Sequence, residues 1–401
     1  MNFNDKFANR MGDMEPAARI VRSLFGSMVN KDVISFGGGA PANICLPIDE
    51  IREITNDVLT RDGRGIEALA YGPINGVQDL REIICNDLLI PKGVNANPDN
   101  IFVTVGGLET MNLVCQAFIN PGDVILMEEP TFVQSVLIFE MFQAKCISVK
   151  MDDDGMDVED LEKKIKEYDP KMIYVIPSFQ NPTGRTLSLE RRKKVAELAH
   201  DYDVLVLEDD PYRDIRFEGE DLPPIKAFDK DDHVILGCSF SKIISPGIRL
   251  GYLYAADEVI EKVWNIKLAT NSHTPILQQV ICAEFFKRGY YEKHHKMMCD
   301  VYRERKNAMV ESVLEYFPEG TKCTNPAGGL FCWVEVPGDV DTDDYLEKAK
   351  DDPDVMVAFL PGERFFADRE NAQKNCMRLS FGNVEAADIR IGIERLSRLF
   401  K

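Results

Sequence analysis

The chain has 401 residues, of which 45% are hydrophobic and 28% are charged, and its 47 basic and 67 acidic side chains give a formal net charge of −20. This composition excludes a disordered, collagen-like or low-complexity protein, because it is apolar enough to bury a sizeable core. The acidic balance disfavours nucleic acid and anionic membranes as partners, since both repel a negatively charged chain. At ~150 residues per domain, the length suggests two to three domains, or one large α/β unit with a satellite.

The N-terminus and the cysteines predict a cytoplasmic protein. MNFNDKFANRMGDMEP is polar and lacks the apolar segment of a signal peptide, and no run approaches the ~20 apolar residues of a membrane span. The closest of the ten cysteines are nine residues apart, Cys323 and Cys332, so there is no CxxC and no zinc-like spacing. We therefore expect reduced cysteines and no metal site.

Short β-like runs recur through the first two thirds of the chain. They are Asn100–Val105, Asp123–Met127, Lys171–Ile176, Val204–Leu207, His233–Gly237 and Leu250–Tyr254. Segments with helical spacing lie between most of them, such as the one marked by Leu108, Met111, Cys115 and Phe118. Continuous apolar strands that alternate with helices predict an α/β fold with a mostly parallel sheet covered on both faces.

The last third has a different pattern. Its strand-like runs are separated by acidic loops and are followed by a helix; they are Gly329–Val336, Val355–Leu360 and Cys376–Gly382, with the helix near Ala387–Leu399. This pattern predicts a smaller α+β domain at 291–401 after a large domain at 46–290.

Ligands bind at the carboxyl ends of the strands in open α/β sheets, so the residues that follow each strand are the candidates for chemistry. They are Gly106-Gly107-Leu108, Asn181 in NPTG, Glu208-Asp209-Asp210-Pro211-Tyr212, Ser239-Phe240-Ser241-Lys242, and Arg249. Each has a plainer interpretation: Gly-Gly and NPTG form turns, an acidic triplet caps a strand in solvent or binds magnesium, and SxSK occurs by chance.

The combination is more informative than any single motif, because four such sites follow successive strands. Together they offer an amine nucleophile, a carboxylate, a phenol, a carboxamide, and an anion seat with an arginine at a helix N-terminus. A Ser-His-Asp hydrolase does not need this set. A nicotinamide-binding fingerprint is absent, because the chain has no GxGxxG.

With these motifs the chain resembles the fold-type I, pyridoxal-phosphate-dependent class I/II aminotransferases, and most of all their 2-aminoadipate and kynurenine aminotransferase subgroup. The resemblance spans nearly the whole chain, through ISFGGGAP, YGPINGVQDLR, TVGGLET, EEPTF, NPTG, EDDPY, SFSKIISPGIRLGY, GGLFCWVE, PGERFF and RLSF. The 28 residues from Asn181 to Asp209 also fit. The resemblance implies an aspartate aminotransferase-like fold and pyridoxal 5′-phosphate as the cofactor.

The resemblance also implies roles for the residues that contact the cofactor. Lys242 matches the lysine that binds the cofactor covalently and then shuttles a proton, and Asp209 matches the carboxylate that keeps the pyridine nitrogen protonated. Tyr212 and Asn181 correspond to the residues that hydrogen-bond the ring oxygen. The remaining implied contacts are Ser239, Ser241, Arg249 and the amides of Gly107 and Leu108 with the phosphate, Phe132 stacked on the ring, and Tyr71 reaching the phosphate of a neighbouring subunit.

For the substrate, the resemblance implies that Arg378 clamps the α-carboxylate, with Gly39 and Asn181 beside it. The N-terminal segment 1–45 is expected to belong to the small domain and to fold over the site. Arg19 in this segment corresponds to an arginine that meets the distal group of the substrate; the alternative is a solvated arginine on a surface helix.

The sequence therefore predicts an aminotransferase that acts on 2-aminoadipate, glutamate, aromatic or aliphatic amino acids, as a homodimer with shared active sites. The chain has Gly107-Leu108 where the subgroup often has Ser-Gln, and Phe132 where tyrosine is commoner, so subgroup substrate preference is less directly transferable. Two alternatives stay open. One is a β-lyase or decarboxylase on the same fold. The other is a ligand-sensing module of a transcription regulator, against which the acidic chain and a segment 1–43 too short for a winged-helix DNA-binding domain both argue.

Overall fold

The computed structural model describes residues 3, 6–15, 18, 19, 21, 22 and 32–401 of the chain. The strands in these ranges are β1 (Ile34–Ser35), β2 (Ile101–Thr104), β3 (Val124–Glu129), β4 (Lys145–Asp152), β5 (Gly155–Met156), β6 (Met172–Val175), β7 (Leu205–Asp209), β8 (Val234–Ser239), β9 (Gly251–Tyr254), β10 (Lys322–Cys323), β11 (Phe331–Glu335), β12 (Val357–Ala358), β13 (Leu360–Pro361) and β14 (Cys376–Ser380).

The α-helices in the same ranges are α1 (Arg10–Asp13), α2 (Ile48–Val58), α3 (Gly65–Leu69), α4 (Gln78–Ile83), α5 (Gly107–Phe118), α6 (Val133–Met141), α7 (Val158–Tyr168), α8 (Leu189–Tyr202), α9 (Asp257–Thr270), α10 (Ile276–Lys287), α11 (Tyr290–Tyr316), α12 (Asp343–Asp351) and α13 (Ala386–Ser397). None of these helices combines the length and the apolarity that crossing a bilayer requires.

Eight strands form the main sheet, in the order β2-β9-β8-β7-β6-β3-β4-β5. The contiguous strands from β8 to β4 pair in parallel, whereas β9 is antiparallel to both of its neighbours and β5 is antiparallel to β4. Strands β2, β3, β6, β7 and β8 therefore run in one direction, and their carboxyl ends share one edge. The predicted mostly parallel sheet is confirmed.

The central strand β6 shows why the sheet is covered on both faces. Met172 and Tyr174 pack in one hydrophobic cluster, and Ile173 and Val175 pack in another, because successive side chains of a strand point to opposite faces. All four are fully buried. A strand in such a position needs a continuous apolar run, which is the sequence pattern seen there.

A second sheet of four antiparallel strands, in the order β10-β11-β14-β13, is built from the last third of the chain. The run predicted as one strand at Val355–Leu360 is divided: β12 pairs with β1, and β13 pairs with β14. Because β1 precedes the main sheet in sequence, this pairing ties the N-terminal part of the described chain to its C-terminal third. The predicted domain boundaries stay a proposal.

Candidate active site

The candidate residues meet at the edge where β2, β6, β7 and β8 end. Since β9 is antiparallel to them, its amino end lies at this same edge, and Arg249 precedes it. Asp209 is the last residue of β7 and Ser239 is the last residue of β8. The topology thus places side chains from several strand ends around one space, as expected for an open α/β sheet.

Lys242 lies three residues after β8, and its Nζ donates a hydrogen bond of 2.6 Å to the carbonyl oxygen of Gly39. Burial, together with the positive charges of Arg378 and Arg249, lowers the pKa of Lys242 to about 8. An amine with this pKa is neutral in roughly one tenth of the molecules at pH 7 and in half of them at pH 8, and the neutral amine is the form that attacks a carbonyl or accepts a proton.

Asp209 is 6% exposed, and its Oδ2 accepts a hydrogen bond of 2.9 Å from the Tyr174 hydroxyl. Burial raises the pKa of Asp209 to about 7, against the lowering effect of the Tyr174 bond. A buried carboxylate with this environment is stabilised by a cationic partner, because an opposite charge offsets the cost of desolvation.

The two acidic neighbours of Asp209 serve other parts of the structure. Glu208 accepts hydrogen bonds from the backbone amides of Ile225 and Lys226, at 2.7 and 2.9 Å. Asp210 is fully buried, and the charges of Arg213 and Arg192 counteract the rise in its pKa that burial causes. The interpretation of this triplet as a solvated cap is therefore wrong, since all three residues are buried.

Arg378 in β14 is buried, and its hydrogen bonds to the protein do not use all of its N–H donors. Its Nη1 donates to Asn181 Oδ1 at 2.8 Å, its Nη2 donates to the Gly37 carbonyl, and its Nε has no hydrogen-bond partner. The guanidinium carbon lies 4.3 Å from the ring centre of Phe331 and 5.1 Å from that of Phe365. No carboxylate of the described residues forms an ion pair with Arg378, so the side chain can receive one from a ligand.

Two more predicted residues are held beside Arg378. The Tyr212 ring is buried and meets Phe331 edge-on, with 5.8 Å between the ring centres. Burial raises the pKa of Tyr212 above its usual range, so its hydroxyl stays protonated and able to donate. A Cβ atom on Gly39 would lie 3.1 Å from Cζ of Phe331, so a larger residue there would crowd this wall.

An anion seat is formed at the start of α5. Arg249 donates from Nη1 to Ser241 Oγ at 3.2 Å and from Nη2 to the Val105 carbonyl at 3.0 Å. Gly106, at a φ of +78°, caps the helix; a Cβ atom there would lie 2.5 Å from Arg249 Nη2, so glycine is required for this approach. Hydroxyl, guanidinium and free helix amides together favour a phosphate.

Leu108, Phe132, Tyr71 and Arg19 are less tightly held. Leu108 is 36% exposed in the first turn of α5, and Phe132 is half-buried directly before α6. Tyr71 is 93% exposed, with its ring edge against His273, and Arg19 is exposed on a helical stretch. Among the described residues, no hydrogen bond, ion pair or ring contact joins Tyr71 or Arg19 to the other site residues.

The sequence-based reasoning missed three polar residues at the site. Tyr174 appeared only as a strand residue, although a hydroxyl in a strand buried on both faces needs a partner. Glu109, in the first turn of α5, is an anion beside the anion seat, and its Oε2 is paired with the buried Lys267 at 2.6 Å. This ion pair offsets a negative charge that would repel a phosphate, and no local sequence signal joins residues 158 positions apart.

The residues fit pyridoxal phosphate. A Cβ atom on Gly107 would lie 3.7 Å from Cβ of Ser239 and 4.0 Å from Oδ1 of Asp209, so the anion seat and the buried carboxylate border one space. Lys242 supplies an amine for the aldehyde, Asp209 a carboxylate for the ring nitrogen, and the seat at Arg249 and Ser241 donors for the phosphate.

Comparisons with known proteins agree with this arrangement. The family model of aminotransferase class I and II matches residues 31–396. The chain is 37% identical over 386 residues to aromatic-amino-acid aminotransferase 1 of Thermococcus litoralis. The matched region covers 95% of this chain and 91% of the relative.

Two solved structures are also similar. Kynurenine aminotransferase of Pyrococcus horikoshii, in complex with PMP, is 36% identical with a TM-score of 0.89, covering 95% of this chain and 93% of that one. The α-aminoadipate aminotransferase of Thermus thermophilus, complexed with N-(5′-phosphopyridoxyl)-L-leucine, is 30% identical with a TM-score of 0.90, covering 100% and 98%. These similarities do not favour the lyase, decarboxylase or regulatory alternatives. The chain belongs to aminotransferase class I and II and is a pyridoxal-phosphate-dependent transaminase with the aspartate aminotransferase-like fold.

Proposed function

We propose that this transaminase moves an amino group between an L-amino acid and a 2-oxo acid at the site of Lys242, Asp209 and Arg378. The observation that carries the proposal is the environment of Lys242: a partly buried amine with a pKa lowered to about 8, at the same sheet edge as a buried carboxylate and a phosphate-type seat. An amine nucleophile, a carboxylate and an anion seat are the three groups that this chemistry requires.

When bound, pyridoxal phosphate supplies an electron sink for the negative charge that develops on the substrate α-carbon. Asp209 holds a proton at the pyridine nitrogen through charge and hydrogen bonding. Lys242 Nζ takes the proton from the α-carbon and returns it to the cofactor side, as a general base and then a general acid. Its lowered pKa suits both directions, because the amine is neither fully charged nor strongly basic near neutral pH.

Arg378 binds the substrate α-carboxylate through a fork of N–H groups. Its bond to Asn181 Oδ1 orients both side chains and leaves the amide N–H groups of Asn181 to donate, with Tyr212, to the cofactor ring oxygen. Gly39 leaves room beside Phe331 for the carboxylate. The phosphate is held by Ser239, Ser241, Arg249 and the amides of Gly107 and Leu108, and Phe132 covers the ring.

We infer a broad range of amino acid substrates, namely 2-aminoadipate, glutamate, aromatic and aliphatic amino acids. The rings of Phe331 and Phe365 beside Arg378 offer apolar surface to an apolar side chain. Val21 packs in a hydrophobic cluster with Phe365, so the N-terminal segment reaches this wall. We assign Arg19, two residues earlier and exposed, to the acidic distal group of 2-aminoadipate or glutamate.

The active unit is a homodimer in which Tyr71 reaches the phosphate of the other subunit. This proposal is supported by the 93% exposure of Tyr71 and by exposed apolar side chains in the same part of the chain, at Ile66, Leu69, Ile44 and Ile48. A cytoplasmic location and a role in amino acid biosynthesis complete the proposal, together with domains at 46–290 and 291–401 and a covering segment at 1–45.

A spectrophotometric panel of amino acids tests the function. Each substrate should convert the lysine-bound cofactor absorbance to that of the amine form of the cofactor, and Lys242→Ala should abolish the reaction. Lys226→Ala is the control and should retain the reaction. Lys226 is buried outside the site, and its Nζ forms an ion pair of 2.7 Å with Asp229. Release of pyruvate and ammonia without any 2-oxo acid acceptor would instead indicate β-elimination. Mixed dimers of Tyr71→Phe and Lys242→Ala chains test whether the sites are shared. If they are, one site of each mixed dimer has an intact Lys242 from one chain and an intact Tyr71 from the other.

A further inference from the structure

Tyr174 is the one polar side chain of β6, among Met172, Ile173 and Val175. It has no solvent exposure, and its ring is fixed edge-on against Phe139, with 5.2 Å between the ring centres. The ring therefore has little freedom to move. Its hydroxyl points at the neighbouring strand β7 and donates the 2.9 Å hydrogen bond to Asp209 Oδ2.

Asp209 has two oxygens, and Tyr174 occupies one of them. The other, Oδ1, is the atom that lies 4.0 Å from a Cβ built on Gly107, on the side of the anion seat. The hydrogen bond from Tyr174 thus fixes the plane of the Asp209 carboxyl group from the side opposite the anion seat. The remaining oxygen, Oδ1, faces the space where the cofactor fits. A single charge-assisted hydrogen bond is enough to fix an orientation when the donor itself is rigid.

The other ionisable groups around Asp209 and Tyr174 disfavour a negative charge on Asp209, so the hydrogen bond from Tyr174 matters more for keeping Asp209 ionised. Asp210 follows Asp209 in the chain and opposes its ionisation, and Glu128 of β3 is buried near both Asp209 and Tyr174. Burial raises the pKa of Glu128 to about 8, so this carboxyl is largely neutral at pH 7. Burial and the Asp209 charge raise the pKa of Tyr174 well above its usual value, so its hydroxyl remains a donor throughout the physiological range.

We propose that Tyr174 is a positioning residue for the reaction: it holds Oδ2 of Asp209 and favours the ionised carboxylate, so that Oδ1 pairs with the protonated pyridine nitrogen of the cofactor. The inference rests on the proposed function of Asp209. It assigns to a strand residue a share in the protonation of the cofactor, although that residue touches neither cofactor nor substrate.

The test is Tyr174→Phe in the cofactor-loaded enzyme, with the ring nitrogen of pyridoxal phosphate labelled with ¹⁵N. Removing the donor makes the Asp209 carboxylate more basic, so the proton shared with the ring nitrogen moves toward Oδ1 of Asp209. The ¹⁵N chemical shift should then show loss of the ring proton at least one pH unit lower than in the wild type. The half-reaction with an amino acid should slow at least tenfold. Tyr254→Phe is the matched control, since Tyr254 is also buried in the sheet but donates to the Asn95 carbonyl at 3.0 Å; it should titrate as the wild type does.

A ¹⁵N titration of Tyr174→Phe within 0.3 pH units of the wild type would overturn the proposal, as would equal shifts in both variants. Neutron diffraction of the wild-type holoenzyme gives a second test that needs no variant. It should show the deuteron on Tyr174 directed at one carboxyl oxygen of Asp209 and the ring nitrogen facing the other oxygen. A Tyr174 deuteron directed at another acceptor, or both groups on the same oxygen, would refute the inference. A wild type without lysine-bound cofactor absorbance would refute the proposed function itself, which separates the two failures.

Discussion

Arg378→Lys keeps the positive charge at the carboxylate site and removes the fork that presents it. In the structure, the guanidinium spans Asn181 and Gly37 and lies over Phe331, which fixes its plane. An ammonium group has no plane and cannot match both oxygens of a carboxylate with parallel N–H bonds. The substitution should therefore weaken the binding of every amino acid substrate, because all of them carry the same α-carboxylate.

The magnitude follows from the bonds at stake. A hydrogen bond to a charged group contributes ~1.5–3 kcal/mol, so the loss of one of the two bonds of the fork lowers kcat/KM roughly ten- to 150-fold. The fold reduction should be the same for glutamate, phenylalanine and leucine, since none of them differs at the α-carbon. Steady-state kinetics with these three donors and one 2-oxo acid measures it.

Arg191→Lys is the matched control for this substitution. Arg191 also forms a two-pronged pair, with both oxygens of Asp152 at 2.6 Å, but on a surface outside the site. Its variant should keep kcat/KM within about threefold of the wild type. A loss in Arg378→Lys confined to one substrate class, or a loss equal to that of Arg191→Lys, would refute the assignment of Arg378 to the α-carboxylate.

Three further changes have defined outcomes. Reconstitution of the apoenzyme with pyridoxal phosphate should accelerate as pH rises toward about 8 and then level off, because Lys242 with a pKa near 8 is roughly one tenth neutral at pH 7 and half neutral at pH 8; a rate still rising tenfold per pH unit at pH 9 would contradict that environment. Asp209→Asn should lower the half-reaction rate at least about a hundredfold. In the cofactor-free protein, Asp209→Asn should be more stable to urea than the wild type at pH 8. Because the pKa of Asp209 is raised by folding, its ionisation destabilises the wild-type fold as pH rises from about 4 to 7, by about 4 kcal/mol in all. Equal stabilities of the two proteins at pH 8 would argue against this. Arg19→Ala should lower kcat/KM at least tenfold for 2-aminoadipate or glutamate and less than about threefold for leucine or phenylalanine, and equal losses would mean that Arg19 acts structurally.

The regular strands and helices of the main sheet were predictable because each carries a strong local signal. The apolar run at Lys171–Ile176 became β6, and the spacing of Met111 and Cys115 marked the buried face of α5. The strand β4 gave no such signal, since its side chains are mostly half-buried or exposed along its length. An apolar pattern predicts only strands that are buried. A half-exposed strand such as β4 is stabilised by neighbouring strands that only the fold brings together.

The site was predictable where chemistry follows directly from a strand end, as at Asp209 and Lys242. It was not predictable where function depends on pairs that are distant in sequence. The bond between Arg378 and Asn181 joins residues 197 positions apart, and the pair of Glu109 with Lys267 spans 158. Asp210 shows the converse: the sequence allowed a solvent-facing cap at this acidic triplet, yet Asp210 is fully buried, and its substitution would disturb the core near Arg213.

The most direct measurement is to find which lysine holds the cofactor. The holoenzyme is reduced with borohydride, digested, and mapped by mass spectrometry for the phosphopyridoxyl label. We predict the label on the peptide that contains Lys242, at close to one per chain. Labelling of a lysine elsewhere, such as Lys267, which is paired with Glu109, or Lys226, which is paired with Asp229, would contradict the placement of the active site at the carboxyl edge of β8.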